Sequence, residues 1–144
     1  MASVFSKIIA GELPARFVYD DPVCVAFLSI NPLKPGHTLV VPRQEVEHWI
    51  DLDADTWGHL SAVSQHIGSA LEQAYRPEKV GMMLAGLEVP HVHVHLVPIW
   101  NVHDLDFARA EAAPAEDALD AAQRTVRAAI EHLGGSGLPP SALR

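Results

Sequence analysis

The amino-acid sequence predicts one α+β domain, an antiparallel sheet of about five strands with helices packed on it. Three observations indicate this class. The period of the apolar residues changes along the chain in the order helix, three strands, helix, two strands, helix. Most connections are short, which favours antiparallel neighbours over the long crossovers that parallel strands need. A chain of 144 residues is long enough for one hydrophobic core and short for two.

The N-terminal half should form a short helix and three strands. Apolar residues at helical spacing over 4–9 predict the helix, which a glycine and a proline end. Strand-forming residues on both sides of a turn at 20–22 predict a hairpin with strands at 17–19 and 23–28. A loop rich in proline follows, and the next strand is predicted at 37–41.

The C-terminal half should form a long helix, two strands and a final helix. Apolar residues at i, i+3, i+4 and i+7 predict that the long helix packs one face on the sheet, and Asp53 or Asp55 can cap it. The tail 134–144 is rich in Gly, Pro and Ser and is predicted to be mobile, so the domain should cover 1–133. In chain order these four elements are predicted at 53–75, 79–85, 91–99 and 115–133.

Composition predicts a soluble cytoplasmic protein. Apolar residues make up 49% and charged residues 19% of the chain, as in globular proteins. The formal net charge of -8 disfavours binding to polymeric nucleic acid or to an anionic membrane. Cys24 is the only cysteine, which excludes an intramolecular disulfide and suits a reducing compartment. No segment reads as a signal peptide or as a membrane span.

The most informative segment is Pro90-His-Val-His-Val-His-Leu-Val-Pro98. Because alternate side chains of a strand point to the same face, His91, His93 and His95 should line one face of a strand. The apolar residues between them should anchor the opposite face in the core. The prolines bracket the segment, in keeping with their exclusion from strand interiors.

Three interpretations of this histidine row are open. The first is a set of surface or hydrogen-bonded core histidines, which the cost of unpaired polar groups on an apolar strand disfavours. The second is a metal site, since imidazole is the commonest protein ligand. The third is phosphoryl or nucleotidyl transfer, in which one imidazole attacks phosphorus and its neighbours neutralise the phosphate oxygens.

The run His91-Val-His-Val-His95-Leu-Val resembles the signature of the histidine triad (HIT) family, which is His-φ-His-φ-His-φ-φ with φ apolar. Three other blocks resemble the N-terminal segment, the second strand and the third strand of that family. The resemblance covers residues 3–99 in the family's order. These three blocks are Phe5-Ser-Lys-Ile-Ile-Ala-Gly-Glu-Leu-Pro14, Ala26-Phe-Leu-Ser-Ile-Asn-Pro32 and Pro35-Gly-His-Thr-Leu-Val-Val-Pro42.

The resemblance implies a homodimer that acts on nucleoside monophosphates joined to a leaving group at the α-phosphate, as in phosphoramidases. His93 would be the nucleophile, forming a covalent nucleotidyl intermediate that water hydrolyses. His91 and His95 would hold phosphate oxygens and support proton transfer. His37 matches a fourth histidine that orients the triad. A histidine at position 95, where the nucleotidylyltransferase branch commonly has glutamine, favours the hydrolase branches.

Six more residues match positions that bind substrate in the family. Ser29 stands where many members have an aspartate that binds the ribose, so ribose selection should be weaker. Glu88 lies near the position of a small hydroxyl residue that assists the leaving group, in a segment without the family's usual amides. It can act as an acid, position a cationic leaving group or only form a turn. The other four match the base pocket, with core packing as the alternative: Phe5, Ile8, Phe27 and Ile30.

Some members hold a structural zinc through two cysteines and a histidine. Ser3, Ser6 and Glu45 stand at those positions here, so no structural zinc is expected, and the mechanism requires no cofactor. Two alternatives to a metal-independent hydrolase stay open. One is a nucleotide-binding or interaction module without activity, and the other is a metalloenzyme with the triad as ligands. The remaining histidines are predicted to be surface residues: His48, His59, His66, His103 and His132.

Overall fold

Residues 1–134, the part that the computed structural model describes, form five antiparallel strands and three α-helices, which confirms the α+β class. The predicted mobile tail lies outside the described residues except for Gly134. The elements are α1 (Val4–Ile9), β1 (Phe17–Asp20), β2 (Cys24–Leu28), β3 (Thr38–Pro42), α2 (Ala54–Tyr75), β4 (Lys79–Met83), β5 (Val94–Ile99) and α3 (Glu116–Leu133). The strand order β1-β2-β3-β5-β4 leaves β1 and β4 at the edges.

The sheet separates two apolar clusters, and alternation along the strands decides which residue joins which cluster. Val40 and Val94 face α2 and α3 in the larger cluster. Leu39 and Val41, on the opposite face, pack in a smaller cluster with Phe5 of α1. Every residue of β2 and β3 is buried, as expected for strands covered on both faces. Helix α1 is too short to be stable alone, so its packing on this cluster holds it in place.

The long helix begins and ends where the sequence indicates. The Asp53 carboxylate accepts a hydrogen bond from Thr56 N at 2.7 Å, so Asp53 rather than Asp55 is the N-cap. Arg76 closes the helix in the left-handed conformation, with φ 49°. Within residues 1–134, no helix has the length and apolar character that crossing a bilayer requires.

The prediction that the three triad histidines share one strand is wrong. Strand β5 begins at Val94, so His91 and His93 precede it. The reason is that the backbone there bonds to loops: His91 N donates to Val89 O and Val92 N donates to Val46 O, each at 2.8 Å. The strand ends at Ile99 as predicted, so Pro98 lies inside the strand and does not bracket it. Strand β4 stops at Met83, two residues earlier than predicted.

A buried carboxylate ties the β1–β2 turn to helix α2. Asp21 accepts hydrogen bonds from the Tyr19 hydroxyl and from the backbone N–H groups of Val23 and Cys24, at 2.7 to 2.9 Å. His59 Nε2 lies 2.6 Å from the same carboxylate, so the prediction of a surface role for His59 is wrong. Burial alone would raise the pKa of Asp21, but these hydrogen bonds outweigh it and lower the pKa.

Replacing Asp21 by asparagine should destabilise the fold by about 3 kcal/mol, because several buried donors would lose their charged acceptor. Urea unfolding at pH 7 measures this change. Tyr19→Phe is the matched control, since it removes a single hydrogen bond and should lower the free energy of unfolding by only about 1 kcal/mol. Equal effects of the two substitutions would contradict a central role for the carboxylate.

Candidate active site

A cleft of about 630 Å³ opens on the face of the sheet that carries α1. All the residues predicted to form the site except His91 line this cleft. Strand β5 delivers His95, which pairs with Leu39 of β3 and therefore faces α1. The ring centroids of His93 and His95 are 4.8 Å apart, and the His93 ring packs against Phe5 at the same centroid distance. The fold thus gathers the predicted residues around one apolar cavity.

His93 is held in a single ring orientation at the cleft. Its Nδ1 lies 2.7 Å from the backbone oxygen of His91, and because a carbonyl only accepts, Nδ1 carries the proton. Within residues 1–134 the Nε2 atom has no hydrogen-bond partner, so its lone pair is available to a ligand. Burial lowers the pKa of His93, and the nearby Glu88 carboxylate offsets a part of this. A neutral imidazole with a free Nε2 is a competent nucleophile near pH 7.

A chain of hydrogen bonds fixes the neighbouring rings. Leu33 N donates to His37 Nδ1 at 3.0 Å, so the His37 proton is on Nε2, which donates to His95 Nδ1 at 2.9 Å. His95 therefore presents an Nε2–H donor. Burial lowers the pKa of His37 to about 3 and that of His95 to about 4, so both rings are neutral at pH 7. The arrangement places the ring of a hydrogen-bond donor beside the ring of His93.

His91 takes part through its backbone rather than its ring. The ring is fully buried, its Nε2 donates to Pro42 O at 2.8 Å, and its Nδ1 accepts from the Ser3 hydroxyl at 2.7 Å. With both nitrogens engaged, the ring offers nothing to a phosphate oxygen. With these contacts in place the His91 ring has no nitrogen left for an ion, which disfavours a metal site made of all three triad rings. His91 instead holds the His93 ring through its carbonyl.

The positions that the resemblance assigned to zinc ligands lie together beside His91. The Glu45 carboxylate accepts from Ser3 N and from the Ser6 hydroxyl, each at 2.7 Å. These hydrogen bonds, that from Ser3 N first, lower the pKa of Glu45 to about 2. Two hydroxyls and one carboxylate replace the thiolates and imidazole that zinc prefers, so this donor set does not fit a structural zinc. A hydrogen-bonded network supports the His91 ring here.

Three of the four residues predicted for base binding, Phe5, Ile8 and Phe27, pack in the smaller apolar cluster and also line the cleft, so core packing leaves them accessible from the cleft. Phe5 and Phe27 are buried, with ring centroids 5.5 Å apart in an edge-on contact. Ile8 lies beside them in the same cluster. Ile30 is different, since it is 70% exposed and lies at the rim. Ser29 lines the cleft and its hydroxyl accepts from the backbone N–H two residues on.

One site residue was missed from the sequence. The Phe107 ring lies 5.0 Å from the His95 ring, centroid to centroid, and lines the cleft. The segment that carries it is held over the cleft by Asn31, whose amide donates to the backbone oxygens of Glu111 and Ala112. The one local signal is Asp106, whose side chain accepts from Ala108 N and begins a short helical turn. Nothing in the local pattern indicates that this turn covers the triad.

The fold and the site together define a class of protein: an antiparallel α+β domain with a histidine triad, of which His93 and His95 line a largely apolar cleft. The HIT domain family model matches residues 10–102, and the chain belongs to this family.

Three similar proteins illustrate the relationship. An uncharacterized HIT-like protein of Borreliella burgdorferi is 35% identical over 113 residues, which cover 74% of this chain and 81% of that protein. The bifunctional bis(5'-adenosyl)-triphosphatase/adenylylsulfatase FHIT of Arabidopsis thaliana is 36% identical over 106 residues, covering 68% of this chain and 59% of that protein. The crystal structure of a hypothetical histidine triad nucleotide-binding protein from Sulfolobus tokodaii superposes with a TM-score of 0.76 at 30% identity. The match covers 90% of this chain and 92% of that chain.

Proposed function

We propose that this protein hydrolyses nucleoside monophosphate conjugates at the α-phosphate through a covalent nucleotidyl intermediate on His93. The observation that carries the proposal is the His93 ring, whose Nδ1 bonds the His91 carbonyl while Nε2 is free at the cleft. The relative from Arabidopsis thaliana, named as a triphosphatase and adenylylsulfatase, supports hydrolysis of nucleotide conjugates as the reaction class.

The first step forms a bond between His93 Nε2 and the α-phosphorus. The bond from phosphorus to the leaving group breaks, and the leaving group departs with the electron pair and takes up a proton from solvent. The Nε2–H of His95 donates to a phosphate oxygen and so stabilises the charge that develops there. Dividing the displacement into two steps lowers each barrier.

The second step releases the product. Water attacks the phosphorus of the nucleotidyl-imidazole and loses a proton to solvent, while the bond to His93 Nε2 breaks with its electron pair on nitrogen. The nucleoside monophosphate leaves and the neutral ring is restored. The hydrogen bond from His93 Nδ1 to the backbone carbonyl of His91 stabilises the positive charge that the nucleotidylated ring carries in the intermediate. No step requires a metal or another cofactor.

The apolar part of the cleft is suited to the base. Phe5 and Phe27 offer aromatic surface, Ile8 adds aliphatic surface, and Ile30 can close over a bound base from the rim. The Ser29 hydroxyl is available to the ribose, with a weaker hydrogen bond than a carboxylate would make.

Turnover of defined conjugates tests the proposal. Adenosine and guanosine 5'-phosphoramidates are offered to the purified protein, and nucleoside monophosphate is quantified by chromatography. Release of the monophosphate supports the hydrolase. The second candidate, a binding module without activity, is favoured by the absence of amide side chains from residues 84–90. Nucleotide binding in calorimetry without turnover of any conjugate would select it.

We also propose that the chain forms a homodimer through β4, the edge strand beside β5. Met82 of β4 is 55% exposed and lines a groove of about 610 Å³ between α2 and the sheet. Ser64 Oγ in this groove is buried and has no hydrogen-bond partner among the described residues. An exposed strand edge with an apolar groove beside it favours pairing with a second copy.

Light scattering coupled to size exclusion checks this expectation. The parent protein should have twice the monomer mass, and Met82→Glu should shift it toward the monomer by placing a charge in the interface. Gln73→Glu is the control, because it adds the same charge near the end of α2 at a residue that does not line the groove. A monomeric parent protein would contradict the dimer.

A further inference from the structure

A second cavity, of about 370 Å³, shares His93 with the cleft of about 630 Å³ described above. Two loops form it, one at 47–51 and one at 84–87. They approach closely, since a Cβ added at Gly86 would lie 3.7 Å from the backbone oxygen of Glu47. The hydrogen bond from Val92 N to Val46 O, at 2.8 Å, ties the first loop to the triad segment. The cavity therefore lies directly beside His93.

The walls of this cavity combine negative charge with apolar surface. Glu47 and Asp51 contribute exposed carboxylates, and no lysine or arginine of residues 1–134 lines the cavity, whose only basic side chains are the imidazoles of His48 and His93. Trp49 presents its ring, which is steadied by an aromatic contact with Trp57 at 5.5 Å between centroids. Carboxylates beside an aromatic face attract an organic cation and repel an anion.

His93 connects the two cavities through an unsatisfied atom. The residue is 7% exposed, and its Nε2 has no hydrogen-bond partner in the described part of the chain. A conjugate with its phosphorus at this atom can extend in two directions, with the base among Phe5 and Phe27 and the leaving group between the two loops. The apolar cleft and the acidic cavity thus suit the two ends of one substrate.

We propose that the second cavity binds the leaving group and selects an alkylamine that carries a second positive charge, as in a nucleoside phosphoramidate of a diamine or of a lysine side chain. The proposal rests on the proposed hydrolase function. When the phosphorus–nitrogen bond breaks, the nitrogen keeps the electron pair and takes up two protons from solvent, which makes it an alkylammonium group. The product is then a dication that Glu47 and Asp51 stabilise, whereas they repel a phosphate or sulfate leaving group.

Three adenosine 5'-phosphoramidates of equal length test the charge preference. Their amines are 5-aminopentylamine, hexylamine and 6-aminohexanoate, so the distal group is cationic, neutral or anionic. At about pH 8, where unperturbed imidazole is neutral, kcat/KM should be about fivefold higher for the cationic than for the neutral compound and lowest for the anionic one. In the Glu47→Gln, Asp51→Asn double variant the ratio of cationic to neutral should fall to about one.

The matched control is Glu72→Gln with Glu131→Gln, which removes the same charge from helix surfaces outside the cavity and should keep the parent's order. Equal kcat/KM for the three compounds in the parent, or an order unchanged in the Glu47 and Asp51 variant, overturns the proposal. Calorimetric binding of the same compounds to His93→Asn separates the two hypotheses. If the parent turns over none of them, tighter binding of the cationic compound supports the subsite and rejects only the hydrolase, and equal binding rejects both.

Discussion

Replacing His93 by asparagine is expected to lower kcat/KM for a nucleoside phosphoramidate by about 10³-fold or more. Asparagine keeps a polar group of similar reach but has no nucleophilic nitrogen. The substitution therefore removes the attacking atom while leaving the surrounding hydrogen bonds largely in place. Steady-state release of nucleoside monophosphate measures the loss, and circular dichroism with urea unfolding verifies that the variant is folded.

The control for this variant is His132→Asn, an exposed histidine near the end of α3. The variant should keep the parent's kcat/KM, because His132 lines neither cavity. A His93→Asn protein that is folded and as active as the parent would reject the nucleophile assignment, whatever the control does.

Acidification from pH 7 to pH 4.5 is expected to lower the free energy of unfolding by about 3 kcal/mol through His37 alone. The pKa of His37 is about 3 in the folded protein, below the value of 6.5 for the free side chain. The unfolded chain therefore binds the proton more readily. The contribution of the neutral His37 ring to the free energy of unfolding is complete above pH 6.5 and is lost as the pH falls from there toward 3. His95, with a pKa of about 4, acts in the same direction.

Urea unfolding at half-unit intervals of pH measures this slope. The His37→Gln variant is less stable at pH 7 but should lose less stability on acidification, because glutamine does not titrate. The pKa of Asp21 is lowered, so its contribution is lost only at pH values below the unfolded carboxyl range and does not enter this window. The same slope in parent and variant would contradict the assignment to His37.

The fold could be predicted largely from local patterns. Apolar spacing predicted helix α2, with Asp53 or Asp55 as its cap, and strand-forming residues predicted β2 and β3. The start of β5 could not be predicted, because the alternating pattern of 91–99 continues through residues whose backbone N–H groups bond to loops. The role of His59 depends on Asp21, which is 38 residues earlier in the chain.

The sequence predicted most of the residues that line the cleft, but it did not predict which nitrogen of each histidine carries the proton. The residues came from the resemblance, and the structure gathers all of them but His91 around one cleft. The tautomer of His95 depends on two successive hydrogen bonds. The backbone N–H of Leu33 donates to His37, and His37 donates to His95. Phe107 was missed because its contact with His95 depends on how the loop after β5 folds back. Such contacts arise from tertiary packing and have no local signature.

The most direct test of a covalent nucleotidyl-histidine is to trap it. The protein is mixed with a phosphoramidate labelled in the adenosine, quenched within one turnover and digested under alkaline conditions, which preserve a phosphorus–nitrogen bond. Mass spectrometry of the peptides should locate one adenosine monophosphate group on His93, and the His93→Asn protein should carry none. Turnover by the parent with no adduct at any time point, or with the adduct on another residue, would contradict the mechanism.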